Sequence, residues 1–423
     1  MKNSLHIALI TEHASPAALL GGADAGGQNV YMDEVARNLA ALGHRVDVFT
    51  RRDSADAPAV RPWADGVRIV NLAVGPARPL PKDDLWPFMP AFRDAIARFL
   101  KASGARPDVL HGNFWMSGWV AAELRDRLGI PAAQIFHATG ITKRRHQGDA
   151  DTSPAERIAV ERDVVRRVDR LIAQCPAERD ELVDDYGADP AKLALIPSAV
   201  NVDLFQPVAQ PEARQQIGLA GDAPTIAYVG RMLPRKDARN IVRALALLRH
   251  ELDVPARLLL VGGETADADP VATPEIGALQ RLAAELEVAE HVTFYGRRQP
   301  GELRYYYAAA DVAVTTPWYE PFGLTPLEGM ACGRPVIGSA VGGIAYTIAN
   351  GATGLLVPPR DPGALAAALR ALLTNPQLRA QMGRAARQRV EREFTWPVVA
   401  WRTAALYGEL LAAEERALVA NAP

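Results

Sequence analysis

LHIALITEHASPAALLGGADAGGQNVYMDEVARNLAALGHRVDVFT, residues 5–50, decides how the chain is read. It opens on an apolar, β-rich run (5–11) and crosses four glycines, at 21, 22, 26 and 27. Val35, Leu39 and Leu42 then follow at helical spacing, and HRVDVFT (44–50) closes the stretch. Strand, glycine loop, helix and strand make a βαβ unit, in which the helix carries the chain back to pair in parallel. The glycines have two possible uses. One is a flexible turn, formed at an entropic cost. The other is a bare loop that lets a phosphate or sugar approach main-chain N–H groups at a helix start.

The rhythm continues outward. VRIVNL (67–72), PDVLHGN (107–113), AQIFHAT (133–139) and DRLIAQC (169–175) are further expected strands separated by helical patterns. The polar, proline-bearing IPSAVNVDLFQPVAQPEA (196–213) interrupts the periodicity as a linker does. A second series follows: TIAYVGRM (225–232), ARLLLVGG (256–263), HVTFYGR (291–297), ADVAVTTP (310–317), RPVIGSA (334–340) and TGLLVPP (353–359). The expected fold class is α/β, with two Rossmann-like doubly wound domains facing across a cleft. The domains are placed at 1–205 and 206–395, with a C-terminal helix at 396–423 packing back toward the first. Ligands of such sheets lie beyond the carboxyl ends of the strands, so functional residues should follow strands.

Bulk properties narrow the function classes. A chain of 423 residues exceeds what one core serves. Lys+Arg 47 against Asp+Glu 49 leaves a charge of -2, which gives no global reason to expect nucleic acid or an anionic membrane as partner. Two cysteines, Cys175 and Cys332, make neither a disulfide framework nor a metal spacing and suit a reducing, cytoplasmic setting. The first residues read as a buried strand rather than a signal peptide. Residues 335–359 carry no charge, but five glycines and the prolines argue for short strands and turns rather than a membrane span.

Two loops carry the chemistry. In WYEPFGLTPLEGMACGRPVIGS (318–339), Thr325, Pro326 and Glu328 fit N-cap, N1 and N3 of a capping box, which by itself would account for Glu328. The same loop holds Glu320 at the mouth of the cleft and points N–H groups from residues 323–327 outward, as an anion site requires. Glu320 and Glu328 stand eight apart, so one can face sugar hydroxyls while the other accepts from a ribose diol. In GRMLPRKDARNIVRAL (230–245), Arg231, Arg235 and Lys236 crowd a strand-end loop, with Asp237 or Ala238 opening the next helix. Such cations are either simply solvated or neutralise a diphosphate.

GGQNVY, GHRVDVFTRR, IPSAVNVDLF, YVGRMLPRK, the Glu-x7-Glu of EPFGLTPLE, CGRPVI and GLLVPP, in this order, resemble the retaining nucleotide-sugar glycosyltransferases of the GT-B fold, family 4, over about residues 5–405. GGQNVY and HGNFWMSGW are similar to the sucrose-phosphate synthase and inositol-phosphate N-acetylglucosaminyltransferase branch. The resemblance implies hexosyl transfer from a nucleoside diphosphate sugar, UDP favoured, to a small hydroxyl acceptor such as a sugar phosphate, with no cofactor. It assigns the donor diphosphate to Arg231 and Lys236 and the ribose to Glu328. The transferred sugar falls to Glu320 and His137, and close main-chain approach to Gly26, Gly27, Phe322, Gly323 and Leu324. Arg297 joins the donor set, and Lys143 and Arg157 match basic positions for an acceptor phosphate, with a plain surface role as their alternative. Catalysis is implied for Arg231, Lys236, Glu320 and His137.

Departures fall on the acceptor side and the linker. The family's His-Ser/Thr-Leu-Gly is His137-Ala138-Thr139-Gly140 here, Pro-Asn-Gly is Pro197-Ser198-Ala199, and a common His-Tyr pair is Asn113-Phe114. The ADAD stretch at 266–269 reads as a solvated acidic loop, so no metal site is expected. Two other readings remain: a sugar-nucleotide 2-epimerase, which needs no acceptor, and a non-catalytic sugar-nucleotide binding protein.

Overall fold

The computed structural model describes residues 4–17 and 26–420. Gly21 and Gly22 of the glycine loop therefore lie outside the described residues. The chain divides into two units, Met1–Pro197 with Trp396–Pro423, and Ser198–Thr395.

In the first unit the described strands are β1 His6–Ile10, β2 Arg45–Arg51, β3 Val60–Ala64, β4 Val67–Leu72, β5 Val109–Asn113, β6 Ala132–Ile135, β7 Arg170–Ala173 and β8 Leu193–Leu195. They form one sheet in the order β3-β4-β2-β1-β5-β6-β7-β8. Ile7 pairs with Val46 on one side and Val109 on the other, which places β1 at the centre. Its apolar run is buried because a parallel strand covered on both faces must be apolar on both. β3 was not anticipated: VRPWA is largely exposed and lies antiparallel to β4 at the edge, with a register shift between Pro62 and Ala64. Proline and a shifted register are tolerated there and discourage pairing with another chain. β8, three residues long, was also too short to read in advance.

The second unit carries β9 Thr225–Val229, β10 Arg257–Val261, β11 Val292–Tyr295, β12 Val312–Thr315, β13 Val336–Ser339 and β14 Gly354–Val357. All pairs are parallel, in the order β11-β10-β9-β12-β13-β14. This is the doubly wound order, and β4-β2-β1-β5-β6-β7 repeats it in the first unit. The order reverses between β9 and β12, and between β1 and β5. Two diverging crossovers leave a crevice at each reversal, beyond the strand ends.

The division falls at Pro197/Ser198 rather than at 205/206. Residues 198–205 belong to the second unit because its core holds them. Val200 N–H donates to Phe394 O at 3.0 Å, and Arg387 donates to Phe205 O at 2.8 Å. The Phe205 ring meets Tyr307 edge-on. The helix Trp396–Ala420 belongs to the first unit, packing on the helix Gly27–Ala41. Trp396 stands 5.8 Å from the Tyr31 ring, and the Tyr407 hydroxyl lies 2.6 Å from His111 Nδ1 on β5.

Candidate functional site

Beyond β9 the chain runs through residues 230–233 into a 3-10 turn, Pro234–Lys236. The Tyr228 hydroxyl donates to Arg231 O at 3.0 Å and fixes the start of the loop, leaving the Arg231 residue exposed. Asp237 takes a positive φ of 52° and caps the helix Ala238–His250. Two bonds lace this loop to the one after β12: Trp318 N–H to Arg235 O at 3.0 Å, and Thr316 Oγ1 to Asp237 O at 3.0 Å. The crossing puts the Lys236 ammonium on Glu320 Oε2, with Arg235 Nη1 4.0 Å from the same oxygen. Glu320 is held from behind, its carbonyl accepting from Gly343 N–H at 3.1 Å.

The helix after this loop is Leu324–Ala331, with Gly323 as its N-cap. The capping box expected at Thr325, Pro326 and Glu328 is therefore not formed. Gly323 has φ 83°, which a side chain would strain, and a Cβ there would stand 3.1 Å from Glu320 Cγ. This turn starts the helix two residues earlier than the Thr-Pro pattern suggests. Glu328 is thereby released from capping, and its Oε2 accepts from the Tyr307 hydroxyl at 2.7 Å. Burial raises the Glu328 pKa above the ordinary carboxylate value, opposed by that hydrogen bond and by the Lys236 charge. Lys236 thus acts on both Glu320 and Glu328. The N–H groups of the first helical turn have no intrahelical acceptor and carry the positive end of the helix dipole. Phe322 is buried beside Phe394. Arg297 stands at the exit of β11, two strands from β9, exposed and with its N–H on Thr265 O.

In the first unit, Gly26 caps the helix Gly27–Ala41. Its N–H donates to Asn29 Oδ1 at 3.0 Å, and Asn29 Nδ2 donates to Ser15 O at 3.1 Å. Gly26 is extended, and among the described residues a Cβ built on it meets nothing within 4 Å. The local backbone conformation does not call for glycine at this position.

His137 follows β6 in the left-handed region, φ 60°. Its Nε2 lies 3.4 Å from Asn113 Oδ1, and its ring meets Tyr31 edge-on at 4.8 Å. Burial, reinforced by the nearby imidazoles of His111 and His13, lowers its pKa to about 3, so it is neutral at physiological pH. Sequence reasoning missed Glu12 and His13, directly after β1. His13 Nδ1 lies 2.7 Å from Glu12 Oε1, and the His13 ring meets Phe114 at 5.2 Å. Their position at the end of the central strand was the available signal.

Lys143 and Arg157 meet at one residue, Ser153, whose Oγ accepts from Lys143 Nζ at 2.9 Å and from Arg157 Nη1 at 3.1 Å. Arg157 is buried and pairs with Glu161 at 2.8 Å while donating to Ala138 O at 2.6 Å. It thus holds the turn that presents His137. Lys143 also pairs with Asp151 at 3.0 Å. Asp151 follows Asp149 by two residues, yet its carboxylate serves Lys143 and the Ser153 N–H. Among the described residues no group of three or more His, Cys, Asp or Glu is gathered as a cation cage would be, and no helix is long and apolar enough to cross a membrane.

Residues 209–389 match the family model described as glycosyl transferases group 1, and residues 26–199 match that of the glycosyl transferase 4-like domain. The D-inositol 3-phosphate glycosyltransferase of Kineococcus radiotolerans is 38% identical over 415 residues, covering 95% of this chain and 94% of that protein. The protein of the same name from Acidothermus cellulolyticus is 37% identical over 92% of this chain and 87% of its own length. Among solved structures, the sucrose-phosphate synthase of Thermosynechococcus elongatus superposes with a TM-score of 0.84 at 36% identity, over 97% of this chain and 100% of that one. Anabaena Alr3699/HepE in complex with UDP and glucose shares the fold, with a TM-score of 0.72 at 19% identity over 96% of this chain and 100% of that one.

Proposed function

The chain belongs to the group 1 glycosyltransferases, enzymes of the GT-B fold that use a nucleotide sugar as co-substrate, and from that premise we propose that it moves a hexosyl group from a UDP-sugar to a hydroxyl of a small phosphorylated acceptor, with retention at the anomeric carbon. The observation that carries the proposal is the convergence of Lys236, Glu320 and Glu328 at the reversal between β9 and β12. One cation between two carboxylates suits a ligand whose diphosphate is flanked by polyols on both sides.

In this reading Arg231, Lys236 and the first N–H groups of the helix Leu324–Ala331 receive the diphosphate, with Phe322, Gly323 and Leu324 alongside. Glu328 accepts from the ribose diol, Glu320 from the hexose, and Arg297 lies toward the nucleoside. Gly26, Gly27 and the neutral His137 are assigned to the donor as well, and Lys143 to the acceptor phosphate, whereas Arg157, buried on Glu161, Ser153 and Ala138 O, holds the turn of His137 instead. As the glycosidic C–O bond breaks, its electron pair passes to the diphosphate. The acceptor oxygen attacks the same face of the anomeric carbon, and its proton goes to the departing phosphate oxygen. Charge thus grows on the leaving group, where fixed cations and dipoles favour the transition state over the bound donor.

UDP is favoured because the Anabaena protein is named as a complex with it, and a phosphorylated cyclitol because the Kineococcus relative is named for one. The test is a thermal-shift panel of UDP, GDP and ADP with their hexose conjugates. The selected donor is then incubated with D-inositol 3-phosphate, and the product's anomeric proton is read by NMR. UDP should stabilise most, and the product should keep the donor's anomeric configuration. Stabilisation by another nucleotide alone, or an inverted product, overturns the assignment.

A further inference from the structure

We propose that Tyr307 is a positioning residue, fixing the Glu328 carboxylate for the two ribose hydroxyls of the donor. The inference rests on the reading of Glu328 as the ribose acceptor and adds a residue on which that contact depends.

Tyr307 lies on the helix Pro300–Ala309, which packs against the helix Leu324–Ala331 carrying Glu328. Its phenol has one proton to give. It stands 2.7 Å from Glu328 Oε2 and 3.4 Å from Thr325 O, so the carboxylate is the nearer acceptor. A hydrogen bond to an ionised acceptor is also the stronger kind. The ring cannot swing away: Tyr307 is 2% exposed, and Phe205 meets the ring edge-on at 6.3 Å. Its Cδ1 would lie only 3.5 Å from a Cβ at Gly329.

Glu328 needs such an anchor. A glutamate has three side-chain torsions, and the Lys236 charge acts on this one, pulling it toward the proposed diphosphate position. Among the described residues its carboxylate accepts one side-chain hydrogen bond, from Tyr307. That bond occupies Oε2 and orients Oε1, which can then accept from a vicinal diol. Without the phenol, Glu328 is free to pair with Lys236. Ribose recognition and the cation for the diphosphate are then weakened together.

The test compares UDP with 2′-deoxy-UDP by calorimetry in the wild type, Tyr307→Phe and Glu328→Gln. Phenylalanine keeps the ring and its walls, so a merely structural role leaves the ratio of the two affinities untouched. We expect the wild type to prefer UDP at least tenfold, and both variants to bring the ratio within about threefold. If Glu328→Gln loses the preference and Tyr307→Phe keeps it, the proposal is overturned while the reading of Glu328 stands. If Glu328→Gln keeps it, the ribose reading fails and the role of Tyr307 with it. Should Tyr307→Phe not fold, 3-fluorotyrosine placed at 307 preserves the shape and makes the phenol a stronger donor. The ratio should then rise, and an unchanged ratio overturns the proposal.

Discussion

Lys236 and Glu320, 84 residues apart, are joined in one ion pair across the loops that follow β9 and β12. The ammonium that the proposed mechanism offers to a diphosphate is thus already engaged by a carboxylate of the same protein. In the proposed mechanism a donor displaces that carboxylate and so frees Glu320 for the hexose hydroxyls, an exchange that would couple diphosphate binding to sugar recognition. Glu320→Gln should therefore bind UDP about fivefold more tightly, equivalent to ~1 kcal/mol, while transferring sugar more slowly. Unchanged UDP affinity by calorimetry rejects the exchange.

Lys236→Ala removes the cation instead. A charge-assisted contact is worth ~1.5–3 kcal/mol, so kcat/KM should fall roughly 10- to 150-fold. Initial rates with saturating acceptor measure it, and a variant with wild-type kcat/KM removes Lys236 from the mechanism.

Gly26→Ala separates ligand approach from folding. A Cβ at Gly26 meets no atom of the described residues within 4 Å. By lowering the entropy of the unfolded chain alanine stabilises the fold by ~0.4–1 kcal/mol, which its poorer N-capping opposes. Tm should therefore stay within about 2 °C, while the donor KM rises by roughly tenfold, or ~1.4 kcal/mol. A variant with normal KM assigns the glycine to neither packing nor donor.

Glu178 supplies a pH signature of stability. Burial, with the nearby Glu181 charge, raises its pKa to about 8 against the N–H of Gln174, which donates to its Oε2 at 2.7 Å. The folded-state value lies above the unfolded one, so the stabilising contribution is full below about pH 4.5 and is lost progressively as pH rises to 8. Glu178→Gln should have a higher Tm than the wild type at pH 8.5 and converge with it near pH 4. Parallel melting curves across that range contradict the assignment.

Dialysis against EDTA should leave the transfer rate within twofold, because Arg231, Lys236 and helix N–H groups carry the neutralisation assigned above. A rate restored only by a divalent cation moves that role to a metal.

The loops after β9 and β12 were legible in the sequence because apolar strands followed by charged or glycine-bearing loops can be read locally. Local pattern misled at Thr325, Pro326 and Glu328, where capping-box spacing was present but the positive φ of Gly323 starts the helix earlier. Tyr307 was hidden because its partner lies 21 residues on, and only the packing of two helices brings phenol and carboxylate together. The charges of Lys143 and Arg157 could be read, but not their common partner Ser153 or the loss of Arg157 to Glu161. The Arg157–Glu161 spacing, one helical turn, was the clue available. The unit boundary was placed late because residues 198–205 have a linker's composition, yet their main chain is held by Phe394 and Arg387.

The hydrogen bond between His111 on β5 and Tyr407 on the helix Trp396–Ala420 joins residues separated by nearly 300 positions. During synthesis, Ser198–Thr395 can therefore close as soon as it emerges, whereas the earlier-made sheet must wait for the tail before its buried imidazole acquires a partner. The half of the protein translated first is the last to be completed.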